Sequence, residues 1–166
     1  MIVLGIDPGT ARTGFGVVCS RGGTLRALDH GVVTTPAGMD LGARLAQIFE
    51  AIRELVGRHR PDAVALETLF VGSNPRTILT VGHARGAALA ACGVAGVPSA
   101  EYSPGEVKTA VCGYGRAEKQ QVARMVEAIL AQGEAAPRSD HASDALAVAI
   151  CHLASSRTQA LTGARR

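Results

Sequence analysis

The apolar runs of this chain change period partway along it, and that change restricts the architectures open to it. Residues 2–7, 13–19 and 25–34 are short strand-length runs separated by Pro8-Gly9 and by Arg21-Gly22-Gly23, the punctuation of an antiparallel meander. From Leu41 onward the spacing becomes helical, through Leu45, Ile48, Phe49, Ile52, Leu55 and Val56. Strand-like runs at 62–67, after Pro61, and at 97–102 then alternate with helical stretches. Ser73-Asn74-Pro75 is a helix start leading into 78–93, and Ser103-Pro104-Gly105-Glu106 has capping-box spacing. An amphipathic helix is predicted over 118–132, and a last one from Ser139-Asp140 to about Ser155. The pattern predicts an α/β chain: a five-stranded mixed sheet, three antiparallel strands and then parallel ones, flanked by helices. The first and fourth strands are expected to pair in parallel.

With 166 residues, 47% of them apolar, the chain has enough material for one core and one domain, expected over 1–156 with a flexible basic tail at 157–166. Its four cysteines, Cys19, Cys92, Cys112 and Cys151, are scattered without a C-x-x-C pair, and the sequence opens directly on a strand. Both features predict a reducing, cytoplasmic setting. The most apolar stretch, 87–97, is only eleven residues long, too short to cross a bilayer, so no membrane partner is expected. Net charge is +3 with a pI near 8.9. A group of acids drawn into one site would leave the remaining surface more basic than that total, which makes nucleic acid or phosphate a plausible partner.

Three carboxylates occupy positions that stability alone does not favour. Asp7 ends the run Ile2-Val3-Leu4-Gly5-Ile6, Glu67 ends Ala63-Val64-Ala65-Leu66, and Asp144 interrupts the apolar stretch 142–150. A carboxylate so placed loses hydration worth several kcal/mol unless a cation or a charged partner compensates it. Parallel pairing of the first and fourth strands would bring Asp7 and Glu67 together, and His141 and Asp144, three residues apart, share a helix face. Asp140 is expected to be the N-cap of that helix.

These residues fall within a recognisable set. Gly5-Ile6-Asp7-Pro8-Gly9 with Thr13-Gly14, the strand end Glu67-Thr68-Leu69-Phe70, the segment Gly113-Tyr114-Gly115-Arg116-Ala117-Glu118-Lys119 and the helix Asp140-His141-Ala142-Ser143-Asp144-Ala145-Leu146-Ala147 together resemble the RuvC family of Holliday junction resolvases. The similarity runs in order from residue 1 to about 155. It implies a ribonuclease H-like fold, a homodimer, and metal-dependent cleavage of two symmetric strands at a four-way DNA junction. It also implies coupling to the branch-migration proteins RuvA and RuvB.

Phosphodiester hydrolysis suits such a donor set. It needs an activated water and neutralisation of the leaving oxygen, which two cations about 4 Å apart supply while clamping the phosphate. Carboxylates are the hard oxygen ligands that Mg²⁺ or Mn²⁺ require. Asp7 is expected to bridge two ions, Glu67 to hold one, and His141 and Asp144 to complete the site. The imidazole favours Mn²⁺ over Mg²⁺. On the resemblance, Phe70 stacks on a base, and Lys108 and Lys119 approach the cleaved strand. Arg76, beside the same loop as Phe70, is expected on the phosphate backbone. The small residues Gly82, Gly86, Ala87, Ala88, Ala90 and Ala91 suit either close packing within the chain or an isologous dimer.

Other classes share parts of this pattern. Asp7-Pro8-Gly9-Thr10 also resembles the D-x-G-T phosphate turn of actin-like kinases and ATPases, which enclose nucleotide between two such domains. A RuvX-like nuclease acting on ribosomal RNA precursors would be told apart by its substrate. A non-catalytic junction-binding module would not need three carboxylates at element ends.

Overall fold

In the computed structural model, residues 1–68, 75–130 and 139–163 are described, without the side chains of 75–77 and 159–163. Three strands open the chain, β1 (Ile2–Asp7), β2 (Arg12–Arg21) and β3 (Thr24–Thr34), followed by α1 (Leu41–His59), β4 (Ala63–Glu67), α2 (Pro75–Val94) and β5 (Ser99–Tyr102). Helices α3 (Pro104–Cys112), α4 (Lys119–Leu130) and α5 (Asp140–Gly163) complete it. The sheet runs in the order β3-β2-β1-β4-β5, with β1 antiparallel to β2 and parallel to β4, as the change of period predicts.

Side chains alternate across the sheet, so each strand feeds two cores. Leu4, Ile6, Val17, Val64 and Leu66 face one way and pack with Ile48, Ile52, Ala84 and Ala88 from α1 and α2. Val3, Val18 and Ala65 face the other way and pack with Val107, Val126, Leu146 and Ile150 from α3, α4 and α5. The same alternation carries Asp7 and Glu67 to the α5 side, two positions beyond Gly5 and Ala65 respectively.

On that side α5 lies almost directly on backbone. Gly5 pairs with Gly16 across β1 and β2, and Asp7 pairs with Gly14. A Cβ on Gly5 would overlap the Ala145 carbonyl oxygen, one on Gly14 the His141 carbonyl, and one on Gly16 the Leu146 side chain and amide. Glycine inside a strand weakens it, but at these three points only glycine admits the helix.

The end helices differ from expectation in two ways. Ser139, not Asp140, caps α5: its hydroxyl accepts the Ala142 N–H at 3.2 Å, and Asp140 is the first helical residue. Two good capping residues stand side by side in the sequence, and only the one whose oxygen reaches the N–H three residues ahead takes the role. The expected end near Ser155 falls inside α5, which continues to Gly163 because no glycine or proline interrupts 156–162. The capping box at Ser103 and Glu106 forms as predicted.

Candidate active site

Each side chain of the site is delivered by a different constraint. Asp7 and Glu67 are the last residues of the adjacent parallel strands β1 and β4, and their backbones are held by the ladder through Ile6 and Leu66. His141 and Asp144 come from the first turns of α5, whose height above the sheet is fixed by the glycine contacts. The turn after Asp7 is pinned by Thr13, a buried residue whose hydroxyl donates to the Gly9 carbonyl at 2.8 Å and accepts the Gly9 N–H at 3.4 Å.

Of the four predicted residues, Asp7 and His141 are in direct contact, and Glu67 and Asp144 lie within electrostatic range of Asp7. His141 Nδ1 lies 2.7 Å from Asp7 Oδ2, with the two side chains 40% and 30% exposed. Glu67 has its carboxyl raised above the usual range, first by burial and then by the charges of Asp144 and Asp7, while Lys108 and Lys119 pull it back. Asp144 is raised as well, chiefly by burial and further by Asp7 and Asp140, against the hydrogen bond and charge of Lys119. Three carboxylates are therefore close enough to repel one another.

Lys119, at the start of α4, answers part of this charge. Its ammonium donates to Asp144 Oδ2 at 3.0 Å and lies 3.3 Å from Asp140 Oδ2. Partial burial pulls the Lys119 ammonium down, and the bonds to the two aspartates more than offset that, leaving it raised. Both partners of the Lys119–Asp144 pair thus move upward: the lysine because it is paired, the aspartate because pairing does not fully repay its burial. Asp140 is an exposed partner of Lys119 at the rim.

A divalent cation fits this chemistry. The donors are hard oxygens plus one imidazole, and they carry mutual repulsion that a cation would relieve. As they stand the donors meet in pairs, Asp7 with His141 and Asp144 with Lys119; among the described residues no three His, Cys, Asp or Glu side chains are already gathered around one point. Beside His141 an open cleft of ≈ 360 Å³ is lined by Gly9, Thr10, Ala11, Arg12, Thr80 and Val81. Lys108 lies on α3, near enough for its charge to be felt at Glu67. Phe70 lies outside the described residues, and Arg76 lies in α2 with its side chain outside them.

The family model for "Crossover junction endodeoxyribonuclease RuvC" matches residues 3–152, nearly the whole chain and a span that contains all four of these positions. The chain belongs to the RuvC family. It is 50% identical over 157 residues to the crossover junction endodeoxyribonuclease RuvC of Syntrophomonas wolfei, covering 95% of this chain and 91% of that one. The RuvC of Moorella thermoacetica is 53% identical over 152 residues, covering 92% and 90%. Among solved structures, Thermus thermophilus RuvC in complex with a Holliday junction substrate superposes with a TM-score of 0.90 at 41% identity, covering 95% of this chain and 96% of that one. The fold is that of RuvC structures, ribonuclease H-like, and the chain is a crossover junction endodeoxyribonuclease; the RuvX-like and actin-like readings are not favoured. Among the described residues no helix is long and apolar enough to cross a membrane.

Two contributions to the site escaped the sequence reading. The glycines under α5 were legible as Gly14 and Gly16 alternating within a strand, a mark of close backbone approach. Arg85 is the other. It is buried in α2 and donates to the backbone of Glu67, and nothing in its neighbourhood distinguishes it from a solvated arginine.

Proposed function

We propose that this chain resolves four-way DNA junctions by paired symmetric nicks, and that Asp7, Glu67, His141 and Asp144 hold two divalent cations per site for that hydrolysis. The observation that carries this reading is the Asp7–His141 contact at 2.7 Å with Glu67 and Asp144 within repelling range of Asp7, side chains from β1, β4 and α5 on one face of the sheet. Mg²⁺ or Mn²⁺ held there would neutralise the scissile phosphate and lower the pKa of the attacking water. The imidazole donor supports a preference for Mn²⁺.

The protein's own part is placement. Asp7 orients the His141 ring through the 2.7 Å contact. Lys119 and Lys108 set positive charge beside the carboxylates, where a phosphate backbone would be drawn in. In this reading Phe70 stacks on an unpaired base, Arg76 contacts backbone phosphate, and the cleft beside His141 gives the strand room.

A homodimer is supported by α2. Ala88 and Ala91 pack inside the chain, but a Cβ on Gly82, Gly86 or Gly93 would meet nothing within 4 Å, and Leu79 and Val94 are 63% and 77% exposed. That smooth open face suits a two-fold partner on a two-fold substrate. Residues 1–156 would form the nuclease domain, with 157–166 an appendage to it. The enzyme would work in the cytoplasm alongside RuvA and RuvB. The deciding experiment incubates a labelled synthetic four-way junction with the protein and Mg²⁺ or Mn²⁺. Paired nicks that yield ligatable duplexes support the reading; cleavage of RNA or of linear duplex with junctions left whole would overturn it.

A further inference from the structure

The face of the sheet opposite the active site carries a buried cation. Arg85, on α2, has a side chain only 9% exposed, and both ends of its guanidinium are engaged. Nη1 donates to the main-chain carbonyl of Glu67 at 2.7 Å, and Nη2 meets Glu101 Oε1 on β5 at 2.7 Å. Glu101 pairs with Leu66 across β4 and β5, so its side chain shares the α2 face with Leu66, and the guanidinium spans from there to the last residue of β4. Beyond Asp7 the neighbouring strand offers only Pro8, which has no N–H to extend the ladder past Glu67.

A buried guanidinium is costly to desolvate and persists where its forked geometry is fully used. Here one prong grips the backbone of a proposed metal ligand and the other a carboxylate on the edge strand. We propose that Arg85 is a positioning residue for the nuclease reaction: braced by Glu101, it fixes the main chain at Glu67 from behind the sheet and so sets where the Glu67 carboxylate stands on the other face. The proposal rests on the reading of Glu67 as a metal ligand. Misplacing a reacting or binding group by about 1 Å costs on the order of a hundredfold in rate, so a grip on the ligand residue's own carbonyl is enough to matter.

The test compares Arg85→Lys, which keeps the charge but loses the fork, with Glu101→Gln, which keeps an acceptor but removes the carboxylate charge from the half-exposed end of the brace. Junction affinity is measured without metal, single-turnover cleavage across a Mn²⁺ titration, Mn²⁺ binding by electron paramagnetic resonance, and Tm. Arg85→Lys is expected to bind junction within about twofold of wild type, to lose on the order of tenfold to a hundredfold in cleavage rate, and to need more Mn²⁺ for half-maximal binding and rate. Glu101→Gln is expected to move in the same direction by less, with a lowered Tm that still leaves the protein folded at the assay temperature. Wild-type rate and Mn²⁺ binding in folded Arg85→Lys would overturn the proposal, as would wild-type values in Glu101→Gln should the lysine variant fail to fold. Glu67→Gln run in parallel separates the two claims. If it binds Mn²⁺ and cleaves normally, the ligand reading itself fails; if it does not while the Arg85 and Glu101 variants behave as wild type, only the positioning role is lost.

Discussion

Asp7 and His141 stand 134 positions apart in the chain and 2.7 Å apart in space, joining the end of the first strand to the first turn of the last helix. The contact ties the two ends of the fold at the point where the carboxylates accumulate, so a change at either residue acts on the site before it acts on the core.

Replacing Asp7 by Asn keeps shape and hydrogen bonding but removes the charge. Junction cleavage is expected to fall by more than the roughly hundredfold that loss of an outer-shell partner costs, with junction binding and Tm little changed. Gel-resolved cleavage beside a mobility-shift titration checks both halves. Cleavage at the wild-type rate would remove Asp7 from the metal site.

His141→Asp exchanges an imidazole for a hard oxygen donor. The ratio of Mg²⁺-supported to Mn²⁺-supported rate at saturating metal is expected to rise relative to wild type. An unchanged ratio would show that the imidazole does not set metal preference.

Glu67→Gln should stabilise the apo protein at neutral pH while it abolishes cleavage. The raised Glu67 carboxyl means the folded chain holds its proton more tightly than the unfolded one. Stability from this group is therefore full below the ordinary carboxylate pKa, is lost as pH rises through the raised value, and stays lost at pH 7. The neutral amide removes that penalty. Thermal melts across pH should show a higher Tm for the variant near neutrality and convergence with wild type in acid; a lower Tm at pH 7 would contradict the repulsion described here. For the same reason protons should compete with Mn²⁺ binding at subsaturating metal earlier on acidification than an ordinary carboxylate would dictate.

Lys119→Met removes the ammonium that partly offsets the upward push of burial on the Asp144 carboxyl. The acid limb of the cleavage profile is expected to shift to higher pH, and the salt dependence of junction binding to become shallower. A pH–rate profile superimposable on wild type would show that the lysine does not act on Asp144.

Gly14→Ala would drive a methyl into the carbonyl of His141. The obstacle is backbone, so the cost should sit at the upper end of the overpacking range, about 3 kcal/mol, and residual folded protein should cleave poorly because α5 has moved. Urea denaturation and cleavage per folded molecule measure the two effects.

Much of this was readable from residues alone, for physical reasons. Apolar runs ending abruptly in an acid mark strand ends, which is why the neighbouring positions of Asp7 and Glu67 were legible, and helical spacing placed His141 with Asp144. The cap of α5 was misread because Ser139 and Asp140 both favour that position and only three-dimensional reach decides between them. The helix end was misread because a polar composition over 155–162 resembles a tail although it contains no helix breaker. Arg85 stayed invisible because burial of an arginine depends on which strand its helix crosses, and no local pattern records that.

The bare-backbone bed beneath α5 has a consequence for anyone reshaping this enzyme. Because main chain rests on main chain at Gly5 and Gly14, the elevation of His141 and Asp144 is dictated by atoms every residue possesses, not by the bulk of surrounding leucines and valines. The interior should accept exchanged aliphatic groups with little effect on where His141 and Asp144 stand, whereas a substituent at either floor position should lift the helix away from the sheet.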